Sequence, residues 1–488
     1  MKTRILITLA LICSIVTVNV LAAEPKQDPY NYTARGKYTF SNEWLYSVTL
    51  DNFTTTDFTV DIATGTQVWS MVMKDGKLYF PKRDIEGTDH KLLVVDAETG
   101  MMLDSISLQG VQDGPVPFAD IQKDAMGNIL VGNLFFTNYT QSFQVWKVDL
   151  ATGATTPVID YSNFETDGFT NIIRFNSFGV WGNVDGDGYI MAANTCATWD
   201  VHTAIANRAW EVYKWTITNG VVAAKPQRIP VNVGAHYYSN FPSVGADARV
   251  LPIDANMFYL HGVQIFPAVV NMNGNILGGI GEVYANSSVE FDDVTEPGTI
   301  YEMKVGYCGI AEFQIGNEYF VVMAATNEFG SPPSTFRLFK KTAYNDFSNS
   351  MEVLWTFPAK IGMGTHKLPY HSAIPSVEVD EVSGTATIAV YVGENGYGVY
   401  TLKVNEHNVQ IRQTQPDQKT LFVYPNLTSG VVHVKCALQS PISIYSLLGK
   451  LVHQFMPEKE ETSVDMSFYP NGVYIFKAEN QAIKIIKK

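Results

Sequence analysis

Apolar stretches that run into an Asp-x-x-Thr-Gly turn recur along the chain and predict its architecture. Residues 95–100 read Val-Asp-Ala-Glu-Thr-Gly, residues 60–65 and 148–153 repeat the pattern, and looser copies occupy 215–220 and 270–274. In such a turn the Asp carboxylate accepts hydrogen bonds from backbone N–H groups two residues on, and the Gly adopts a positive φ. Each copy therefore predicts a β-hairpin. Because one hairpin cannot bury its apolar face alone, the recurrence predicts hairpins packed side by side.

A second recurring element is a polar turn, usually containing Gly, that leads into an apolar strand. Its copies are marked by Lys77, Asn128, Gly188, Met257, Tyr319 and Ala386. Successive markers are 51 to 69 residues apart, and each interval suits one four-stranded sheet with a connection of variable length. Repeated sheets of this size favour an all-β fold and a β-propeller, with six blades preferred and seven as the alternative. We expect residues 44–50 to form a strand that completes the last blade. A two-sheet sandwich and a β-solenoid are the competing architectures.

The two ends of the chain differ from the repeating body, and the sequence predicts four segments. Residues 1–23 combine a basic end, an apolar run and small residues at the predicted cleavage point, which is typical of a signal peptide. The apolar run is short and broken by polar residues, so we expect no transmembrane segment in the mature chain. The propeller body spans 24–409, the polar stretch 410–420 is a linker, and 421–488 is a small all-β unit.

The charge of the chain limits its partners, and its cysteine content limits its disulfides and metal sites. The chain carries a net charge of −14 at pH 7, and both ends are locally basic, so the excess of acid lies in the body. An acidic body argues against nucleic acid and anionic membrane surfaces as partners. Of the four Cys, Cys13 lies in the leader, which leaves at most one disulfide, and no Cys-x-x-Cys pair indicates zinc.

The C-terminal unit carries a distinctive set of short motifs. They are Tyr-Pro-Asn at 424–426, Ile-Tyr and Gly-Lys-Leu-Val between 444 and 452, Tyr-Pro-Asn-Gly-Val-Tyr at 469–474, and a basic tail. Residues 421–488 thereby resemble the C-terminal sorting domain of the Por (type IX) secretion system of Bacteroidetes. The resemblance implies an immunoglobulin-like β-sandwich, recognition by the type IX machinery, and delivery through the periplasm to the outer-membrane surface or the medium. In that family the domain is usually removed afterwards.

The body is also similar to uncharacterised secreted propeller-like families of the same bacteria. The similarity rests on the hairpin at 96–100 and on the Gly-Asn-Ile-Leu-Val-Gly-Asn strand at 127–133. This similarity implies no activity.

One turn resembles half of a calcium-binding loop. Asn183, Asp185 and Asp187 place oxygen ligands at alternate positions, and Gly188 follows at the sixth. The twelfth position should carry a bidentate Glu, but it is Asn194. The segment also aligns with other blade turns, such as 124–128, that need no metal. We therefore favour a plain turn, with calcium as the alternative, and predict no other cofactor.

Candidate binding residues are aromatic and His side chains in or near predicted loops, where propellers usually bind ligands. They are Trp181, Trp199, Tyr237, Tyr238, His366 and His371. The chain has no Gly-x-Ser-x-Gly elbow and no His-Glu-x-x-His pair, so it carries no catalytic signature. The sequence thus favours a secreted module that binds a glycan or a surface protein. The alternatives are a hydrolase or lyase acting on polysaccharide or peptide at the propeller mouth, and a structural envelope component.

Overall fold

The structure is a computed structural model, and it describes most of the chain after the leader. The described residues are 25–52, 68–84, 89–111, 116–137, 141–169, 173–194, 210–231, 248–262, 265–279, 288–292, 297–302, 307–325, 333–343, 350–364, 373–405, 421–436, 441–447, 450–457, 459, 461–478 and 481–488. The chain divides into two compact units, Met1–His407 and Asn408–Lys488. The predicted leader and linker lie outside the described residues, and their boundaries stay predictions.

The first unit consists of short strands and one 3₁₀ turn, Val48–Leu50. Its strands are β1 (Tyr38–Ser47), β2 (Val72–Lys74), β3 (Lys77–Lys82), β4 (Lys91–Asp96), β5 (Met102–Ser107), β6 (Asp120–Lys123), β7 (Ile129–Gly132), β8 (Phe135–Phe136), β9 (Phe143–Val148), β10 (Thr155–Tyr161), β11 (Arg174–Phe175), β12 (Gly179–Gly182), β13 (Gly188–Ala193), β14 (Trp210–Thr218), β15 (Val221–Val222), β16 (Gln227–Val231), β17 (Ala248–Pro252), β18 (Met257–Gly262), β19 (Ile265–Asn271), β20 (Ile276–Gly279), β21 (Ser288–Asp292), β22 (Pro297–Glu302), β23 (Tyr307–Ile315), β24 (Glu318–Ala325), β25 (Thr335–Lys341), β26 (Met351–Phe357), β27 (Ala373–Asp380), β28 (Thr385–Val392) and β29 (Gly396–Val404).

Within the described residues these strands form six antiparallel blades of four main strands each. The blades are β2–β5 (blade 1), β6, β7, β9 and β10 (blade 2), β12, β13, β14 and β16 (blade 3), β17–β20 (blade 4), β23–β26 (blade 5), and β27, β28, β29 and β1 (blade 6). In blade 3 the short strand β15 also pairs with β14, and β8 with β11 and β21 with β22 form small ribbons. The innermost strands β2, β6, β12, β17, β23 and β27 each contact the next one, and β27 contacts β2. The predicted propeller is confirmed, with six blades.

The ring is closed by the N-terminal strand. Strand β1 pairs with β29 from Tyr38 opposite Val404 to Ser47 opposite Gly396, so it becomes the outer strand of blade 6. This pairing confirms that an early strand completes the last blade, but the strand begins before the predicted stretch 44–50 and ends at Ser47, because Val48–Leu50 form the 3₁₀ turn. Such closure packs every blade between two neighbours and leaves only the short outer strands as sheet edges.

The segment just before β1 holds this closure in place. Lys26 and Leu45 exchange two backbone hydrogen bonds of 3.1 and 2.6 Å. Asp28 is buried, and its Oδ2 accepts hydrogen bonds from the hydroxyls of Tyr32 and, at 3.4 Å, Tyr400. Burial raises the pKa of Asp28 and outweighs the opposing effect of these hydroxyls. Residues 25–34 thus form an N-terminal strap that is joined to blade 6 at both β1 and β29.

The Asp-x-x-Thr-Gly turns behave as the sequence predicts. The Oδ1 atom of Asp96 accepts from the backbone N–H groups of Glu98 at 3.1 Å and Thr99 at 2.7 Å, and Gly100 has a φ of +73°. A Cβ at Gly100 would lie 3.0 Å from the ring of Trp44, whose Nε1 donates to the carbonyl of Ala97 at 2.8 Å. A side chain of β1 in blade 6 therefore rests on the turn of blade 1. The copy at 60–65 lies outside the described residues.

The core lies between blades and explains why the strands read as apolar runs. In β4 the four residues Leu92, Leu93, Val94 and Val95 are all buried, because neighbouring blades cover both faces of the sheet. Near the axis the inner strands approach closely. A Cβ at Gly309 would lie only 2.2 Å from the carbonyl oxygen of Ala373 in the next inner strand, so this contact needs glycine.

The second unit is a two-layer β-sandwich. Its strands are β30 (Leu421–Tyr424), β31 (Leu427–Thr428), β32 (Val431–Cys436), β33 (Ile442–Ser446), β34 (Leu451–Phe455), β35 (Glu461–Asp465), β36 (Gly472–Ala478) and β37 (Gln481–Lys487). One sheet has the order β30-β32-β35 and the other β31-β37-β36-β33-β34. Side chains of both sheets, among them Val432, Ile444 and Phe476, form one buried core. The predicted sandwich is confirmed, and no helix in the described part of the chain is long and apolar enough to span a membrane.

Candidate functional site at the mouth of the central channel

The two faces of the propeller differ in the length of their connections. Because strands alternate in direction within each blade, all six inner strands begin at the same end of the ring, which we call the loop face. At this end each outer strand finishes and the inner strand of the next blade begins. The opposite end, the turn face, carries the short turns that follow the inner strands, such as 75–76 and 316–317. Variable connections on a rigid scaffold are where binding residues usually reside.

A small cavity of mixed polar and apolar lining lies on the axis at the loop-face end of the inner strands. Its volume is about 60 Å³, and residues from all six blades line it. The polar lining residues are Asp120, Gln122, Ser177, Arg249, His261 and Ser376. The apolar ones are Met71, Val72, Phe178, Val250, Leu251, Ile310, Ile374 and Pro375. We call this space the channel cavity.

Asp120, the first residue of β6, joins four blades beside the channel cavity. Its side chain is 1% exposed, and its Oδ1 accepts a 2.5 Å hydrogen bond from the Ser70 hydroxyl of blade 1. Oδ2 accepts from Gln122 Nε2 at 3.0 Å and from the backbone N–H of Phe178, at the start of blade 3, at 3.1 Å. The guanidinium of Arg249 in blade 4 lies 3.7 Å from Oδ1. These contacts use most of the accepting capacity of the carboxylate.

Arg249 and His261 form the positively polarised side of the channel cavity. They are direct cross-strand partners on β17 and β18, so their side chains leave the sheet on the same face. Both are at least 95% buried. The guanidinium carries five N–H donors in a planar fork, and a neutral imidazole carries one. Together with Ser376, whose hydroxyl accepts the backbone N–H of Met73 at 2.9 Å, they line this side of the channel cavity.

An ion pair joins inner strands near their turn-face ends. Lys123, the last residue of β6, donates to the Met73 carbonyl at 2.7 Å, and its ammonium is 3.4 Å from Glu378 Oε1. Glu378 also accepts backbone N–H groups of Asp75 and Gly76 at 2.7 and 2.9 Å. These contacts link blades 6, 1 and 2 at the turn face. The channel cavity lies at the opposite end, at the loop face.

The candidate binding residues from the sequence do not line the channel cavity where they are described. Trp181 lies in β12, is half-buried between blades 3 and 4, and stacks on Tyr189 with ring centroids 5.4 Å apart. The remaining candidates, Trp199, Tyr237, Tyr238, His366 and His371, lie outside the described residues. A binding role for all six residues stays a prediction.

The calcium-loop candidate is a hydrogen-bonded turn on the turn face. The Asn183 side chain accepts the backbone N–H of Asp185 at 2.9 Å, and Asp185 pairs with the ammonium of Lys147. Asp187 accepts the backbone N–H of Asn219 at 2.8 Å. No group of three His, Cys, Asp or Glu side chains that could hold a metal occurs in the described part of the chain. Lys147 supplies the positive charge beside Asp185, and calcium binding stays an untested alternative.

Sequence reasoning missed Asp120, Arg249 and His261. Each interrupts an apolar run inside a strand, as in Ala-Arg-Val-Leu at 248–251 and Tyr-Leu-His-Gly at 259–262. A charged or polar residue at such a position indicates a buried, partnered group. The signal is therefore present, although nothing local shows that β6 and the hairpin of β17 and β18, which are far apart in sequence, meet beside the same cavity.

Residues 422–488 match the family described as the secretion system C-terminal sorting domain. The chain is therefore exported to the cell surface or the medium by the type IX secretion system, which is found in Bacteroidetes. None of the curated proteins matches the chain in sequence.

Solved structures resemble the chain in fold. A DUF4623 family protein from Bacteroides eggerthii matches with a TM-score of 0.53 and 12% identity, over 78% of this chain and 79% of that one. PorZ, a surface component of the type IX secretion system of Porphyromonas gingivalis, matches with a TM-score of 0.33 and 13% identity over 86% and 59%. An α-L-arabinofuranosidase from Fusarium graminearum has a TM-score of 0.40 and 10% identity over 70% and 95%. Of these three matches, only the first is similar enough to indicate a shared fold, and it indicates nothing about activity.

Proposed function

We propose that this exported chain is a binding module whose six-bladed body holds a glycan or another protein at its loop face. The observation that supports the proposal best is the channel cavity, because it places polar groups from several blades around one point at that face. A ligand seated there contacts a rigid ring whose blades are already joined through Asp120. Export to the surface or medium puts this face in contact with external molecules.

A binding screen of the full exported chain against glycans and surface proteins tests the proposal. We expect at least one ligand whose affinity falls about tenfold in His261→Gln, since losing a hydrogen bond in a buried site costs about 1–3 kcal/mol. His453 is exposed on β34 of the second unit, so His453→Gln is the matched control and should bind as the parent does. A screen without any ligand would contradict the proposal.

The second candidate is a hydrolase or lyase acting on polysaccharide or peptide. One observation favours it, namely that a His and an Asp line the same cavity. The carboxylate of Asp120 is engaged by four neighbours, however, so a catalytic role would require it to exchange these contacts for substrate. Product release from polysaccharides and peptides by the parent chain, and its loss in His261→Gln, would support this candidate over simple binding.

A further inference from the structure

We infer that the channel cavity receives a hydroxyl group of an uncharged glycan, which donates to the Oε1 atom of Gln122 and accepts from the hydroxyl of Ser376. The inference rests on the proposed binding function and selects a glycan as the ligand. It follows from the hydrogen bonds that the side chains lining the channel cavity already make.

Gln122 offers a hydrogen-bond acceptor. Its Nε2 donates to Asp120 Oδ2 at 3.0 Å, and because an ionised carboxylate only accepts, this bond fixes which end of the amide faces Asp120. The other end, Oε1, accepts from no donor in the part of the chain that the structure describes. The side chain is half-buried and lines the channel cavity, so its Oε1 can accept from a ligand.

Ser376 offers a hydrogen-bond donor. Its oxygen accepts the backbone N–H of Met73, which leaves its own proton to donate, and none of the described residues accepts that proton. Lys123, the neighbour of Gln122 on β6, donates to the carbonyl of the same Met73 at 2.7 Å. The strands that carry Gln122 and Ser376 therefore hold one residue of β2 between them, and both side chains reach the channel cavity beside it.

A hydroxyl group meets both needs with one oxygen atom. It accepts from Ser376 and donates to Gln122 at the same time, whereas a carboxylate only accepts and an ammonium only donates. The charges beside the channel cavity also face each other, because the Arg249 guanidinium lies 3.7 Å from Asp120 Oδ1. A charged ligand would compete for one of these partners, and an uncharged hydroxyl leaves both in place.

The walls and the overall charge favour an uncharged sugar as the carrier of this hydroxyl. Leu251, Ile374 and Pro375 line the same space, and apolar surface beside a few polar groups suits the C–H faces of a sugar ring. A volume of about 60 Å³ admits more than one hydroxyl, so neighbouring hydroxyls of one ring can enter together. A protein segment carries its hydroxyls singly, on separate side chains. The net charge of −14 disfavours acidic polysaccharides.

Binding of the full chain to immobilised oligosaccharides tests this inference. The uncharged probes are oligomers of glucose, galactose, mannose and xylose, and oligogalacturonate is the acidic one. We expect at least one uncharged oligomer to bind, and oligogalacturonate not to bind. Gln122→Met keeps the length of the side chain but removes the acceptor, and Ser376→Ala removes the donor. Calorimetry with the bound oligomer should show that each variant loses affinity by about three- to tenfold.

The matched control is Gln454→Met in the second unit. Gln454 is exposed on β34, and its Nε2 likewise donates to a side chain, that of Ser443, at 3.0 Å. This variant should bind the oligomer as the parent does. Circular dichroism and melting establish that the variants fold, and Ser376→Ala decides the matter if Gln122→Met does not fold.

The outcomes separate this inference from the proposed function. An oligomer that binds Gln122→Met and Ser376→Ala as tightly as the parent would overturn the inference and leave the binding function intact. A screen that yields only protein ligands, or only acidic glycans, would do the same. A screen without any ligand would contradict the binding function itself, and this inference with it.

Discussion

Replacing Asp120 by Asn should destabilise the propeller far more than its small change in size suggests. The Asn side chain keeps the shape but removes the charge beside Arg249, which is 5% exposed. Its amide NH₂ would also face a donor, because both carboxylate oxygens now accept hydrogen bonds from Ser70, Gln122 and Phe178. A donor left without its acceptor costs about 1–3 kcal/mol, and breaking a buried ion pair by removing one partner costs about 3–5 kcal/mol. Since these effects overlap, we expect a total loss of about 3–5 kcal/mol.

Urea unfolding of the full chain measures this loss as a shift of the transition of the first unit. Asp149→Asn is the control, because that carboxylate lies in an exposed turn and bonds its own loop. The double variant Asp120→Leu/Arg249→Met should recover part of the loss, since it removes the buried guanidinium together with the carboxylate that it faces. A loss below about 1 kcal/mol for Asp120→Asn would refute the view that this residue joins the blades.

Further predictions concern the strap, the axis, the closing strand and the turn face. Burial raises the pKa of Asp28 in the folded chain, so its favourable contribution to stability is complete below the unfolded pKa and is lost as pH rises through the folded value. The free energy of unfolding, measured between pH 4 and pH 8, should therefore rise for Asp28→Asn relative to the parent as the pH rises. Gly309→Ala should lower the melting temperature sharply, because its Cβ would collide with the carbonyl of Ala373. Trp44→Ala should cost about 3–5 kcal/mol in urea unfolding, because it empties the contact between blades 6 and 1. Millimolar calcium should leave the melting temperature unchanged, because Lys147 already pairs with Asp185; a rise that Asp185→Asn abolishes would contradict this.

The turns and hairpins could be predicted from the sequence, whereas the pairing of strands distant in sequence could be predicted only in outline. The turn at Asp96 depends on residues within five positions of one another, so its motif predicts its geometry. The second strand of each blade was located from the same kind of local pattern. The sequence predicts that residues near Trp44 complete the last blade. The register of β1 and the position of the strap before it depend on contacts with β29, which the local sequence does not show.

The channel cavity could not be predicted because its position depends on the closed ring. Arg249 and Asp120 lie more than a hundred positions apart, and each appears in the sequence only as a polar residue within an apolar strand. Conversely, the residue type of Trp181 makes it a binding candidate, although in the ring it packs between blades and stacks on Tyr189. Residue type near a loop does not show which side chains face the axis, because blade geometry decides that.

The closing of the ring also has a consequence for how the chain matures. The Asn42 side chain donates to the carbonyl of Val399, which is 357 positions away in sequence. During synthesis, the first strand therefore emerges long before its partner exists. Until then it is an unpaired β-edge, the kind of surface that promotes aggregation. Until β1 pairs with β29 the ring stays open, so the rate of closure sets how long each molecule is exposed to that hazard.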